Sequence, residues 1–497
     1  MKKINLFLFL TVSLYAQQHL TILHWNDFHA QNLPFQVKVK SKFSGKDTSF
    51  MVSGSATMAA YLKKYSSDDS ATLVLNAGDD FQGSPISTIT KGSSQIQLLN
   101  LLNPDAFEIG NHEFDYGRTS LVEKITAATF PVLSANLIDT KSHTPFAGTY
   151  IIKRLGKIKV AIIGLMTTEL PTLTLPDNVN NLRVNPLAET IHELVPQLKK
   201  NGADIIIALT HQGVDDDSIL ALRAPEINVI VGGHSHTPLF KPKQVNGVLI
   251  TQAGSRGRWL GKIDLTVDIE RDTILNEHAE LIECRSSDVK PDSTVAAKVV
   301  ELEQLADKSL SEIIGELKTD WKRSNGGESN MGNWIADAMR AYAKADIAFQ
   351  NGGGIRKDVL AGPITVRDVW EISPFGNTLV TFTVDGATLF TMLQNQFLMS
   401  DEVLQISGLK YTYISLNGKK QLHDVIINET PLDRKSNYTI VTNNYIAAQT
   451  KKYFGFSLPD SAITPLHVVD RDVLIEAVKQ QKIISSVIEG RIQEVKN

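Results

Sequence analysis

The chain has 497 residues, 42% hydrophobic and 21% charged, with a net charge of −4. That length exceeds one ordinary domain, and the slight negative charge excludes a broad basic surface for nucleic acid. A single cysteine, Cys284, excludes an intrachain disulfide and reads as a small buried apolar residue rather than a nucleophile.

Lys2 and Lys3 precede an apolar run from Ile4 to Leu14, which ends at Ala16. This is the pattern of a signal peptide over residues 1–16. The run is too short to span a bilayer, and no second run of spanning length follows. Export without a membrane anchor is expected, to a periplasm or the cell exterior. The lack of disulfides favours a bacterial over a eukaryotic route. Nothing in the sequence speaks to oligomeric state.

Beyond this segment, apolar runs alternate with helical spacing. Strands are expected at 20–23, 72–75, 131–133, 159–165, 204–209, 227–231, 248–251 and 263–267. Helices are expected at 56–65, 96–102, 118–128 and 186–200, and residues 36–50 read as a polar loop. Such alternation predicts an α/β domain, here over residues 17–290. A charged helix over 291–312, with little apolar surface on one face, reads as a linker. A second domain fills 313–497, with a helix at 330–342, a strand at 347–349 and a triple glycine at 352–354.

The chemistry sits where the apolar runs end. Asp27-Phe28-His29 follows the first. Gly78-Asp79 follows the second. Gly110-Asn111-His112-Glu113-Phe114-Asp115 follows Ala106 to Ile109. Thr210-His211 and Gly233-His234-Ser235-His236 follow two more. Ligand sites of α/β folds lie at such strand ends. Five of the twelve histidines fall in these places. Histidine with carboxylate and no cysteine favours zinc, manganese or iron over calcium. One aspartate can bridge two cations, and a cation pair suits phosphoryl chemistry.

In this order, DFH, GDD, GNHEFD, THQG and GGHSH resemble the calcineurin-like metallophosphoesterase family. Asn351-Gly352-Gly353-Gly354-Ile355-Arg356 and Pro374-Phe375-Gly376-Asn377 extend the resemblance to the 5′-nucleotidase and UDP-sugar hydrolase family, over nearly the whole mature chain. The resemblance implies a four-layer α/β/β/α sandwich, a linker helix and an α/β nucleotide-binding domain. It implies two divalent cations, zinc or manganese: one held by Asp27, His29 and His236, the other by Asn111, His211 and His234, with Asp79 bridging. It implies a His112–Asp115 dyad that stabilises the phosphate in the transition state, and no assigned chemistry for His24, Glu113 or Phe114. The substrate would be a nucleotide, first of all a nucleoside 5′-monophosphate. UDP-sugars and 2′,3′-cyclic nucleotides are the alternatives, and a non-catalytic nucleotide-binding surface protein is the reading from another class.

For substrate binding, the resemblance implies that Arg356 contacts phosphate, Asn351 contacts the base and Gly353 lies in a loop closely approached by ligand. Arg323 reads equally as a phosphate-binding or a solvated arginine. The family clamps the base between two rings. Phe375 matches the first. The second follows a GGDG loop, but here the stretch is Ala448-Gln449-Thr450-Lys451-Lys452-Tyr453. Tyr453 takes that ring's position, with Phe454 as the near alternative. Lys451 and Lys452 read as exposed, and Asp460 stands near the family's ribose contact.

Overall fold

The computed structural model describes residues 17–40, 47–66, 71–306, 308–399, 402–416 and 419–495. The expected signal segment and the side chain of Asp460 lie outside the described residues.

Two six-stranded sheets build the N-terminal half. The first runs Thr273–Glu283, Trp259–Asp268, Gln17–Trp25, Thr72–Asn76, Ala106–Glu108, Val132–Leu133. The second runs Lys243–Val245, Val248–Gln252, Val229–Gly232, Ile205–His211, Ile158–Met166, Tyr150–Leu155. The central strands of both sheets are parallel. Parallel strands are covered on both faces, so they read as unbroken apolar runs. Ile205 to Leu209 shows this. Ile205, Ile207 and Leu209 pack between the sheets with Ile22, Leu75 and Ile263. Ile206 and Ala208 pack outward, beneath Ile191 and Leu198 of the helix Leu187–Lys200. On the other side, Met58, Ile96 and Leu99 cover Leu23, Trp25 and Phe107. The result is the four-layer α/β/β/α sandwich.

Cys284 lies fully buried in that outer core, where burial pushes its thiol well up. Of the stretch 36–50, expected as a loop, residues 41–46 lie outside the described residues and the remainder differs. Phe35–Lys40 and Asp47–Val52 pair as antiparallel strands. Phe35, Val37 and Val39 alternate with polar residues that face solvent, a period-two pattern partly masked by the lysines.

The connecting helix is shorter than expected, Ser293–Glu303, and starts at Asp292, whose carboxylate accepts from the amides of Thr294 and Val295. It is also less polar in effect. Val295, Val299 and Leu302 are buried against Ile86 and Leu98 of the N-terminal half. Beyond it a five-stranded sheet runs Gln405–Ser407, Ile347–Gln350, Asn437–Asn443, Thr378–Asp385, Thr464–Val469. Helices Asn330–Ala343 and Asp470–Gln481 cover one face and Gly386–Met399 the other. Contacts join the halves directly: the Tyr445 hydroxyl donates to the Thr172 carbonyl at 3.0 Å, and Arg356 Nη2 donates to His29 Nε2 at 3.1 Å.

Candidate active site

The carboxyl ends of the parallel strands of both sheets converge on one point. Each chain segment must turn sharply there. Asp27, His29, Asp79, His234 and His236 all have φ between 50° and 81°. That left-handed region is uncommon for non-glycine residues and concentrates at functional sites. Two loops touch so closely that they need glycine. A Cβ on Gly78 would stand 2.7 Å from the Gly110 amide nitrogen, and one on Gly110 would stand 2.2 Å from Asp79 Oδ1.

Two clusters of ligand atoms result, Asp27, His29, Asp79 and His236 in one, Asp79, His211 and His234 in the other. Asp79 belongs to both. His236 Nε2 lies 3.2 Å from Asp27 Oδ1 and 2.9 Å from His29 Nε2. His211 Nε2 lies 3.1 Å from Asp79 Oδ2. Asn111 Oδ1 lies 2.9 Å from His234 Nδ1, which brings the amide to the second cluster.

These residues fit divalent cations by their chemistry. The Nδ1 of His211 faces the Ala77 carbonyl at 2.6 Å, and the Nδ1 of His29 faces the Gln82 carbonyl at 3.1 Å. A carbonyl only accepts, so each Nδ1 carries the proton and each Nε2 turns a lone pair toward the cluster. This is the usual arrangement of a histidine ligand and its outer partner. A lone pair aimed at a carboxylate or another ring nitrogen is stable only with a cation or a proton between them. Burial, with Arg356 and His236 nearby, holds His29 well below its usual range, and burial with His211 holds His234 down to about 3. Both are therefore neutral, the form that binds metal. Burial also lowers His211, but the charges of Asp79 and Asp27 outweigh it and raise the ring to about 10.

His112 stands beside the clusters. Its backbone amide donates to Asp79 Oδ1 at 2.9 Å, and its Nδ1 lies 2.8 Å from Asp115 Oδ2. Burial works against its charged form, but Asp115 and Asp79 raise it overall. The intervening Glu113 has a job that the sequence alone did not reveal. Its carboxylate accepts from the amides of Asp79 (2.9 Å), Asp80 (2.7 Å), Phe81 (3.1 Å) and Gly110 (2.6 Å). Burial and Asp79 push it up to about 7, while those amides favour its ionised form. Phe114 is fully buried in the outer core. His24 is buried too, held down to about 4 by burial, against Gly261.

Both clusters and His112 open into a cavity of about 400 Å³ between the halves. Asn351, Gly353, Arg356, Phe375 and Arg323 all line it. Arg356 Nη2 lies 3.1 Å from His29 Nε2, and the Phe375 ring centre lies 5.5 Å from that of His112. Arg323 is thus a cavity residue, anchored on the Ile355 carbonyl at 3.2 Å.

Tyr453 is not brought there. Its ring is 0% exposed in the core of the C-terminal half, and its hydroxyl donates to Glu402 Oε2 at 2.8 Å. Where the family's glycines are missing, Thr450–Phe454 forms a short helix that turns both Tyr453 and Phe454 inward. Tyr445 reaches the cavity instead, with Glu402, Lys452 and the segment Leu173–Leu175. Lys451 is exposed, as expected; Lys452 is half-buried on the wall. No local motif marks Glu402 or Leu173–Leu175, and Tyr445 had only its aromatic ring to signal it.

Residues 20–238 match the calcineurin-like phosphoesterase family, and residues 312–456 match the 5′-nucleotidase C-terminal domain. Fold and site together fit the class of metal-dependent phosphoesterases. The chain thus joins a region that matches the calcineurin-like phosphoesterases to one that matches the 5′-nucleotidase C-terminal domain. A 5′-nucleotidase of Diplobatis ommata is 28% identical over 97% of this chain and 91% of its own length. Endonuclease YhcR of Bacillus subtilis (strain 168) is 30% identical over 87% of this chain, which spans only 38% of that protein. The crystal structure of a 5′-nucleotidase precursor from Thermus thermophilus superposes with a TM-score of 0.86 at 28% identity, covering 97% of this chain and 100% of the other.

Proposed function

We propose that the protein hydrolyses phosphate esters of nucleotides, with nucleoside 5′-monophosphates as first substrate. The observation that carries this reading is the shared cavity, into which both ligand clusters, His112 and the Asn351–Arg356 loop open. It is supported by the likeness to proteins named 5′-nucleotidase. Asp27, His29 and His236 would hold one cation and Asn111, His211 and His234 the other, with the Asp79 carboxylate available to both. A nitrogen and oxygen donor set suits zinc or manganese. When bound, the two cations neutralise phosphoryl oxygens and make water nucleophilic at neutral pH.

The chain's own residues do the rest. Arg356 grips the phosphate beside the first cluster. Asp115 fixes the proton on His112 Nδ1 and favours the cationic ring, so Nε2–H faces the phosphate and stabilises its growing charge. Asn351 contacts the base, and Phe375 and Tyr445 offer ring faces to it. The Lys2-to-Ala16 pattern supports action outside the cytoplasm, and among the described residues no helix is long and apolar enough to cross a membrane.

A second reading, cleavage of UDP-sugars or 2′,3′-cyclic nucleotides, draws support from the second guanidinium, Arg323, on the same wall. A non-catalytic role is opposed by the filling of every ligand and dyad position. Purified protein, assayed with manganese, zinc or cobalt on all three substrate types, tests these. Monophosphate turnover that chelation abolishes is expected. Turnover of UDP-sugar or cyclic nucleotide alone overturns the first choice, and no turnover by metal-loaded protein overturns the enzyme reading.

A further inference from the structure

Arg256 stands where the two halves meet, behind the cavity rather than in it. It follows the strand Val248–Gln252 in a turn with φ 56°. Its backbone amide donates to the Asp27 carbonyl at 2.7 Å, which ties it to the first ligand loop whatever side chain it carries. Its guanidinium Nη2 donates across the interface to the Arg356 carbonyl. Arg356 is the residue whose own guanidinium reaches His29 Nε2 at 3.1 Å and the Gly353 carbonyl at 3.4 Å. Arg356 and Arg323 line the cavity; Arg256 instead lines, with His29, a separate recess of about 30 Å³. A ligand in the cavity therefore meets Arg356 and not Arg256. The charges bear on the same contact. Burial, then Arg323 and Arg356, hold Arg256 down to about 10, and burial, then Arg323, lower Arg356. The acids closest to Arg256, Glu371 and Asp358, are engaged by Lys357 and Lys322. Three guanidiniums crowded together repel. The bond to the Arg356 carbonyl opposes that repulsion, and a phosphate dianion would relieve it.

Resting on the nucleotide reading above, we propose that Arg256 is a positioning residue for the substrate phosphate: it holds the Arg356 backbone so that the Arg356 guanidinium stands over the first ligand cluster. It does so without touching substrate. Arg256 belongs to the N-terminal half and Arg356 to the C-terminal half, so this one bond sets the phosphate grip in register with Asp27 and His29. A neutral side chain of similar length keeps the bond to Asp27, which the backbone makes, and loses only the hold on Arg356. The effect falls on the phosphate and not on the nucleoside, whose contacts lie with Asn351, Phe375 and Tyr445.

The test is a double-substitution cycle in the full-length, metal-loaded protein. It is read as kcat/KM for AMP, as Ki for inorganic phosphate and for adenosine, and as bound metal. Arg256→Met should lower kcat/KM about 10- to 100-fold, the cost of misplacing one binding group. It should raise the Ki for phosphate while the Ki for adenosine and the bound metal stay unchanged. Arg256→Lys, which still offers a donor to the Arg356 carbonyl, should restore most of the loss. In an Arg356→Ala background, Arg256→Met should cost less than about threefold, because residues in contact do not act additively. An equal cost in both backgrounds would mean that Arg256 acts apart from Arg356. Lost metal would mean that its side chain holds the Asp27 loop, and an unchanged kcat/KM would mean that it positions nothing; each of these overturns the proposal. Wild-type protein that turns over p-nitrophenyl phosphate but not AMP would fail the nucleotide reading alone, and the same cycle on p-nitrophenyl phosphate then decides the role of Arg256.

Discussion

The two walls of the cavity are built on different principles. On the histidine wall, side chains are held by buried partners of the backbone. Ala77 and Gln82 carbonyls orient His211 and His29, and one carboxylate, Glu113, ties four amides of two loops together. On the opposite wall, the parts come from the two halves, and side chains of one, Tyr445 and Gln449, donate to the Thr172, Pro171 and Thr174 carbonyls of the other at 3.0 to 3.5 Å. The first wall is over-determined and suits positioning of charge at a reacting phosphorus. The second is loosely tied and tolerates change, as the missing glycine loop shows. Chemistry and substrate choice are thereby separable in this fold.

That contrast can be broken at several points. The largest effect is expected at the shared ligand. Asp79→Asn should lower bound metal from two ions per chain and reduce kcat by more than about 10³-fold, beyond the loss of one charge-stabilising donor; metal analysis with steady-state kinetics measures both. His112→Ala should reduce kcat by about 10²–10³-fold while metal content stays normal. Unchanged turnover would remove His112 from the mechanism.

Glu113→Gln sharpens the comparison without touching substrate. A carboxamide turns an NH₂ toward two of the four amide donors, so the Asp79 loop shifts. Metal affinity should fall about 10- to 100-fold, as for other outer partners of ligands, with a lower Tm by calorimetry. A wild-type affinity in that variant would show that the four amides do not position Asp79. The smallest effects belong to the loose wall. Tyr445→Ala should raise KM about tenfold through lost base stacking, with kcat nearly intact. Tyr453→Phe, deep in the core, should change KM by less than about threefold, and an equal response of the two tyrosines would contradict the placement of the rings.

Much of the histidine wall could be read from single stretches. Asp27-Phe28-His29 and Gly233-His234-Ser235-His236 follow apolar runs, and a strand end is where an α/β fold presents ligands. Glu113 escaped because its partners are amides, which every residue has. The inward turn of Tyr453 escaped because it depends on a five-residue helix, Thr450–Phe454, packed on a core assembled from distant strands. The pairing of Phe35–Lys40 with Asp47–Val52 escaped because the lysines that separate its valines obscure the alternation.

The sequence by itself determined the α/β class, the order of the polar strand ends and the donor types that suit a cation pair. Those depend on periodicity and side-chain chemistry, which are local. Only the tertiary structure decided that Glu113 ties the loops and that Tyr445 and not Tyr453 faces the cavity. Those depend on which distant residues pack against a short segment, and burial of that kind is a property of the whole chain.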